Sequence, residues 1–265
     1  MRARAYNAVY YLTTAIMNKK SGIFVIRYRI LLLVLMGLPL AAQPESIVVG
    51  DIEINSQDFS ATLDSEQRVA KCLSCHGDHA GGDIDFDPDV RFGTPALRGM
   101  GEKYLQESLN AYRSGTRRHK EMSAISAFLD EETVNFMAHS FATYTAQPMK
   151  SASELTVLAE KDALFRQGQA IARQGVSQHG VPACIYCHGP LGEGNATGPR
   201  LAGQNVMYIQ SQFTAFASGS RQTAQSALMQ PVVAGLSDAD IKAVAHYYES
   251  VSESPVVAKR VPEDD

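Results

Sequence analysis

All the cysteines of this chain lie in two copies of one short motif, Cys-x-x-Cys-His. The copies occupy residues 72–76 and 184–188, and a glycine follows each of them. This spacing is the attachment signature of c-type haem. The two thiols form thioethers to one porphyrin, and the adjacent histidine becomes the proximal ligand of its iron. The sequence therefore predicts two covalently bound haem c groups. The predicted attachment residues are Cys72, Cys75, Cys184 and Cys187, and the predicted proximal ligands are His76 and His188.

Other uses of paired cysteines account for fewer of these residues. A zinc site built from two such pairs usually has the second pair within about 20 residues of the first. Here more than a hundred residues separate the two pairs. A thioredoxin-like dithiol needs only one pair, and a disulfide within each pair would leave both histidines without a role. Haem attachment uses every residue of the motif.

The first 42 residues have the pattern of a secretory signal peptide. They contain six basic residues and no acidic one, and an apolar run over 30–38 leads to Pro39 and then to Ala42. The run is short for a membrane span of about 20 residues, so we expect cleavage after Ala42. Export to the bacterial periplasm agrees with the motif, because c-type haem is attached outside the cytoplasm. An uncleaved N-terminal anchor is the alternative, and Met17 is an alternative start of translation.

The charge balance favours some partners over others. The chain has 24 basic and 28 acidic residues, for a net charge of −4. Loss of segment 1–42 would remove basic residues only, so the mature chain is more acidic still. This charge argues against a nucleic acid partner and predicts partner proteins with basic docking patches.

The two halves of the chain carry the same order of sequence features, which identifies an internal repeat. Each half has a haem motif, a Pro-x-Leu-x-Gly segment, a tyrosine, a Ser-Gly-x-Arg segment and a methionine. The matched positions, first half before second, are 95–99 with 199–203, Tyr104 with Tyr208, 114–117 with 218–221, and Met122 with Met229.

Apolar residues at helical spacing and acidic capping residues predict a mainly helical chain, and no segment shows a convincing strand pattern. The predicted helices are a short one running into Cys72, then 102–112, 130–144, 155–174, 205–217 and 237–250. The predicted division is a signal peptide or anchor (1–42), a first haem domain (43–147), a linker (148–153), a second haem domain (154–252) and a C-terminal tail (253–265).

A haem iron with one histidine ligand has a sixth coordination position to fill. Met122 and Met229 occupy the same place in the two halves, in loop-like segments before the last helix. Thioether ligation of haem iron is an established use of methionine, whereas methionines without a counterpart across the repeat suit flexible core filling. We therefore predict Met122 and Met229 as the sixth ligands. Histidine is the rival ligand, above all His119 beside Met122.

The array of Cys-x-x-Cys-His-Gly, Pro-x-Leu-x-Gly, Tyr, Ser-Gly-x-Arg and Met resembles the class I c-type cytochromes. Its tandem form resembles the dihaem cytochrome c4 family over residues 64–250. The resemblance implies an all-α fold of two tandem class I cytochrome c domains related by a pseudo-twofold axis, with the haem propionates near their interface. It also implies that the carbonyls of Pro95 and Pro199 accept hydrogen bonds from the proximal histidines.

The same resemblance suggests residues near the propionates and shows where the first half departs from the family. Arg200, Tyr208 and Tyr104 are the propionate candidates by position, and Arg98 is a weaker one. In the first half Met100 stands where the family has glutamine, and the loop that follows the haem motif is longer and rich in aspartate.

Histidine–methionine ligation would close both irons to substrates, so the sequence predicts an electron carrier rather than an enzyme. We expect it to pass electrons from a respiratory donor, either a quinol-oxidising complex or a dehydrogenase, to a terminal oxidase or reductase. Membrane association would then come through a partner or an uncleaved N-terminus. The alternatives are a dihaem enzyme, either peroxidase-like or an oxidase of small sulfur compounds, and the cytochrome subunit of a dehydrogenase.

Overall fold

The structure is a computed structural model, and it describes residues 45–49, 52–77, 80–82, 93–196, 198–224 and 226–253. The predicted signal peptide and nearly all of the C-terminal tail lie outside the described residues, so those predictions stand as made. Within the described part of the chain, no helix is both long enough and apolar enough to cross a membrane.

The described residues are mainly helical. In chain order the first half contains strands β1 (Ser46–Val49) and β2 (Ile52–Asn55), a 3-10 helix (Ser56–Phe59), and helices α1 (Ser65–His76), α2 (Glu102–Ser114), α3 (Lys120–Ser126) and α4 (Glu131–Ala142). The second half contains α5 (Ala152–Lys161), α6 (Ala163–Gln174), a 3-10 helix (Ser177–His179), α7 (Ile185–His188), α8 (Val206–Ala217), α9 (Ser226–Ala234) and α10 (Asp238–Ser250).

Local capping chemistry explains where the predicted helices begin. At α1 the side chain of Asp64 accepts from the backbone N–H of Gln67 at 2.8 Å, and the Gln67 side chain accepts in return from the Asp64 N–H at 3.1 Å. Ser237 and Asp240 form the same reciprocal capping box at α10. Such boxes satisfy N–H groups that have no partner within the helix.

The single helix predicted over 155–174 is wrong, because Asp162 divides it into α5 and α6. Asp162 has an extended backbone, with φ −118° and ψ 105°. Its side chain accepts from the N–H groups of Leu164 and Phe165, both at 2.9 Å. The second carboxylate oxygen lies 2.6 Å from Nε2 of His246 on α10. The break therefore gives α6 its own N-cap and joins it to α10.

The expectation that the chain has no strands is also wrong, because β1 and β2 pair as an antiparallel hairpin. The register joins Ser46 to Asn55 and Val49 to Ile52. Ile54 on β2 is only 1% exposed and belongs to the core of the first domain, as does Phe59 in the following 3-10 helix. The hairpin is thus part of the first domain's core.

Each half of the chain has its own hydrophobic core, which confirms two tandem domains. In the second domain α6 packs closely against α10. Gly168 permits this approach, because a Cβ there would lie 2.0 Å from the carbonyl oxygen of Ala243. In the first domain α2 and α4 pack together, and the hairpin and 3-10 helix add to that core.

The two domains meet through equivalent segments of the repeat. Arg117 and Arg221 form an antiparallel backbone bridge, in which the N–H of Arg118 donates to the carbonyl of Ser220 at 2.8 Å. A contact between matching residues of two repeats is the contact expected on a pseudo-twofold axis. The predicted arrangement of the domains is thereby confirmed.

Candidate haem-binding sites

One cavity of the first domain brings its predicted haem-binding residues together. Cys72, Cys75, His76 and Met122 all line this cavity. The rest of the lining is largely apolar. It includes Ile54, Phe59, Leu97, Met100, Leu105, Leu109, Ile125, Leu129 and Phe141.

The two proximal histidines have the same hydrogen bond. Nδ1 of His76 donates to the carbonyl of Pro95 at 2.8 Å, and Nδ1 of His188 donates to the carbonyl of Pro199 at 2.8 Å. These bonds confirm the contacts implied by the family resemblance. They hold each ring in the tautomer whose Nε2 keeps its lone pair for a metal. Burial lowers the pKa of both histidines, so the neutral form required of a ligand is favoured.

Glycines next to the proximal histidines allow a close approach of the backbone. Gly77 and Gly189, which follow the two motifs, have φ values of 79° and 88°, a region that other residues rarely adopt. At Gly198 a Cβ would lie 2.6 Å from the carbonyl oxygen of Cys187 and 2.9 Å from Nδ1 of His188. The segment before Pro199 therefore fits against the histidine only with glycine at this position.

The two candidate methionine ligands lie on helices, and the prediction of loop segments was wrong. Met122 lies on α3 and lines the first cavity. Met229 lies on α9, and it packs on the second core together with Cys184. Met122 thus lines the same cavity as the haem motif of its own domain, and Met229 packs on the same core as Cys184.

Three other histidines of the described residues, His119, His139 and His246, do not line the first cavity. His119 caps α3, where its Nδ1 accepts from the Met122 N–H at 3.4 Å. His139 lies 3.1 Å from the carboxylate of Glu102, and His246 is the partner of Asp162.

The structure also reveals an interface cluster that joins two of the propionate candidates, Tyr104 and Tyr208, to residues that the sequence analysis did not assign to the site. Arg117 donates to the hydroxyl of Tyr208 at 2.7 Å and to Oε1 of Gln212 at 2.7 Å. Arg221 donates to the same Oε1 at 2.9 Å and to the hydroxyl of Tyr104 at 3.2 Å. We call these five residues the Arg–Tyr cluster. The match of both Ser-Gly-x-Arg segments across the repeat was the signal that could have identified it.

The Arg–Tyr cluster is strongly electropositive. Arg117 and Arg221 are 4% and 6% exposed, and neither forms an ion pair with an acidic side chain of the described residues. Burial opposes the ionisation of Tyr104, but the charges of Arg221 and Arg117 outweigh it and lower the pKa of that hydroxyl. Arg117, Tyr104 and Tyr208 also line the first cavity. The cluster is therefore suited to an anionic group placed there.

A second interface contact holds the backbone beside the proximal histidine of the first domain. Gln204 is 2% exposed. Its Oε1 accepts from the N–H of Ala96 at 2.8 Å, and its Nε2 donates to the carbonyl of Ala96 at 3.0 Å. Arg200 instead donates to the carbonyls of Ala202 and Gln147, each at 2.9 Å.

These residues fit a covalently attached haem. The first cavity is lined by two thiols, a histidine that presents a free ring nitrogen, a thioether, an apolar wall and the cationic side chain of Arg117. The second domain repeats the thiols, the oriented histidine and the methionine. Among the described residues, no group of three or more His, Cys, Asp or Glu side chains is placed to hold a metal ion.

Comparison with known proteins identifies the family. The profile of the family Cytochrome c matches residues 66–156 and again residues 166–252. The chain belongs to the cytochrome c family. It is similar to the cytochrome c4 of Pseudomonas aeruginosa strain PAO1, with 32% identity over 189 residues, which cover 70% of this chain and 86% of that protein.

Two further similarities bear on fold and function. The "Thiosulfate dehydrogenase electron acceptor" of Stutzerimonas stutzeri strain A1501 is 32% identical over 183 residues, which cover 69% of this chain and 79% of that protein. The crystal structure of reduced recombinant cytochrome c4 from Pseudomonas stutzeri has a TM-score of 0.57 and 30% identity, and the match covers 71% of this chain and 96% of that chain.

These similarities confirm the dihaem cytochrome c4 family, the tandem fold and two haem c groups as cofactors. The protein is an electron-transfer protein whose partners are redox proteins. The individual attachment and ligand residues and the domain boundaries stay predictions.

Proposed function

We propose that the protein carries electrons in the periplasm from a respiratory donor to a terminal oxidase or reductase. The observation that carries this proposal is the first cavity, in which His76 and Met122 both line an apolar space beside the two cysteines. Two protein ligands on each iron would leave no coordination position for a substrate. The first domain would supply His76 and Met122 as these ligands, and the second would supply His188 and Met229.

The haem iron, when bound, supplies reversible one-electron oxidation and reduction. The chain's own residues attach it, orient its ligands and exclude water. The Pro95 and Pro199 carbonyls fix the two imidazoles and make them better donors, and thioether ligation favours the ferrous state. The apolar wall reduces the solvent reorganisation that accompanies electron transfer. The Arg–Tyr cluster would pair with the propionates of the first haem.

Carbon monoxide tests the ligation, because it binds ferrous haem only where a coordination position is open. The holoprotein should show no spectral change with the gas, whereas Met122→Ala and Met229→Ala should each open one of the two haems. Met207→Ala is the matched control, because Met207 is 45% exposed and has no methionine counterpart across the repeat. If half of the wild-type haem bound carbon monoxide, the peroxidase-like alternative would replace the carrier.

A dehydrogenase of small sulfur compounds is the second candidate for the donor. It is favoured by the relative named "Thiosulfate dehydrogenase electron acceptor", and it agrees with the alternative of a dehydrogenase cytochrome subunit. Stopped-flow mixing of the ferric holoprotein with thiosulfate, with and without a thiosulfate dehydrogenase, tests this candidate. Reduction only when the dehydrogenase is present supports an acceptor role, whereas reduction by thiosulfate alone indicates an enzyme. Failure to be reduced in either mixture excludes this donor.

A further inference from the structure

The first domain has an open basic concavity between the end of α2 and the start of α3. Its charged lining consists of Arg113, Arg118 and Lys120, with His119 beside them. These side chains are exposed, and that of Lys120 is 94% exposed. We call this surface the basic concavity. It is an exception on a chain whose net charge is −4.

The second domain has the same turn without the charges. Gly115 and Gly219 end the corresponding helices with φ values of 75° and 71°, so the backbone path repeats. The residues that correspond to the four side chains above are neutral. They are Ala217, Gln222, Thr223 and Ala224. The fold therefore does not require the charges, which belong to the first domain alone.

Little of this charge is neutralised within the protein. Arg113 donates to the amide oxygen of Asn110 at 3.0 Å, and Nε of Arg118 donates to the carbonyl of Gly115 at 3.4 Å. These acceptors carry no net charge. Glu121 is the acidic partner here, with its carboxylate 4.0 Å from Nζ of Lys120 and 3.3 Å from His119. Among the described residues, these three permanent positive charges thus have one carboxylate within ion-pairing distance, that of Glu121, and the charge of Asp130 also acts on Arg113.

The basic concavity shares a wall with the first cavity. Tyr112 lines both of them, so a protein seated on this surface would be one side chain away from the cavity that holds Cys72 and His76. This position favours a redox protein as the occupant over a membrane surface, which would gain nothing from closeness to the haem. A localised charge of one sign also orients an incoming partner and raises its association rate.

We propose that the basic concavity docks the acidic surface of a redox partner protein and makes the first domain an electron entry or exit point. The proposal rests on the electron-carrier function. The net charge of the chain predicts partner proteins with basic docking patches, whereas this surface calls for an acidic patch.

A carboxylate-terminated monolayer on gold serves as the acidic probe surface. The full-length holoprotein should adsorb on it at low ionic strength and be released by about 0.5 M salt, where charges are screened within a few ångströms. The triple variant Arg113→Gln, Arg118→Gln, Lys120→Gln should adsorb about tenfold more weakly. Lys120→Gln alone, at a side chain that is 94% exposed, should give part of this loss without a risk to folding.

The matched control removes the same charge from the second domain. Lys161→Gln, Arg173→Gln, Lys242→Gln should adsorb as the wild type does. Equal losses in both triple variants, or wild-type adsorption by the first triple variant, would overturn the proposal. Binding to phosphatidylglycerol vesicles through the same residues without adsorption on the monolayer would replace the partner protein with a membrane. Adsorption needs no electron transfer, and reduction of both haems by dithionite checks the carrier function separately.

Discussion

Replacing Gln204 with methionine would remove a side chain through which the second domain holds the Pro95–Ala96 segment of the first. Gln204 is 2% exposed and makes two hydrogen bonds with the backbone of Ala96, at 2.8 and 3.0 Å. Methionine has a similar length and is the residue at the corresponding position of the first domain, Met100. The substitution therefore tests the hydrogen bonds with little change in packing.

The expected cost follows from the groups left behind. A buried donor or acceptor without a partner costs about 1–3 kcal/mol, and Gln204→Met strands the N–H and the carbonyl of Ala96. Allowing for some relaxation, we expect a loss of about 2–4 kcal/mol in the free energy of unfolding. In a chain of this size each kcal/mol lowers the melting temperature by about 2–4 °C.

Calorimetry of the holoprotein measures this cost, and voltammetry adds a readout specific to the site. Ala96 follows Pro95, whose carbonyl orients His76 at 2.8 Å. The reduction potential of the first haem should therefore shift, while that of the second stays constant. Gln178→Met, at an exposed glutamine, is the control and should change neither value. An unchanged melting temperature together with two unchanged potentials would refute the reasoning.

Three further predictions concern packing and charge elsewhere. Gly198→Ala should lower the yield of protein carrying a second haem, measured by mass spectrometry, because the added Cβ would lie 2.6 Å from the Cys187 carbonyl oxygen; a full yield would contradict this. Ile54→Ala should cost about 2–5 kcal/mol in urea unfolding, because this side chain is 1% exposed, whereas the exposed Val48→Ala should cost little. Asp162→Ala should cost about 1 kcal/mol through the lost cap of α6. The hydrogen bond from the Phe165 N–H, followed by that from His246, lowers the pKa of Asp162, so this cost should be complete at pH 7 and should disappear as the pH falls below about 3.9. A cost independent of pH would show that the carboxylate charge is not involved.

Sequence reasoning succeeded where the determinants are local. Asp64 and Gln67 are three residues apart, and their reciprocal hydrogen bonds need nothing from the rest of the chain. Each Cys-x-x-Cys-His motif likewise places its two thiols and its histidine within five consecutive residues. It failed at Asp162, whose break in the helix is supported by His246, 84 residues away. Helical periodicity alone does not show such a partner.

Contacts between residues distant in sequence were also missed at the haem sites. The match between Arg117 and Arg221 was visible in the repeat, but their partners come from both domains. Gln212 accepts from both arginines. Its counterpart in the first domain is Ser108, a different type of side chain, so the repeat did not single out this position. The hairpin was missed because the first strand, Ser-Ile-Val-Val, does not alternate, and the second alternates over only four residues, the shortest length that indicates a strand.

The two haem sites are built from the same elements but are not equivalent. Gln204 fixes the Pro95 segment of the first domain, whereas Met100, at the matching position, is 6% exposed and lines the first domain's own cavity. The two hydrogen bonds that Gln204 makes to Ala96 are thus ones that the Met100 side chain cannot make in return. The hairpin residue Ile54 and the second-domain residue Tyr208 both close the first cavity. Because hydrogen bonding and burial around a haem set its potential, these differences predict two distinct potentials within one chain.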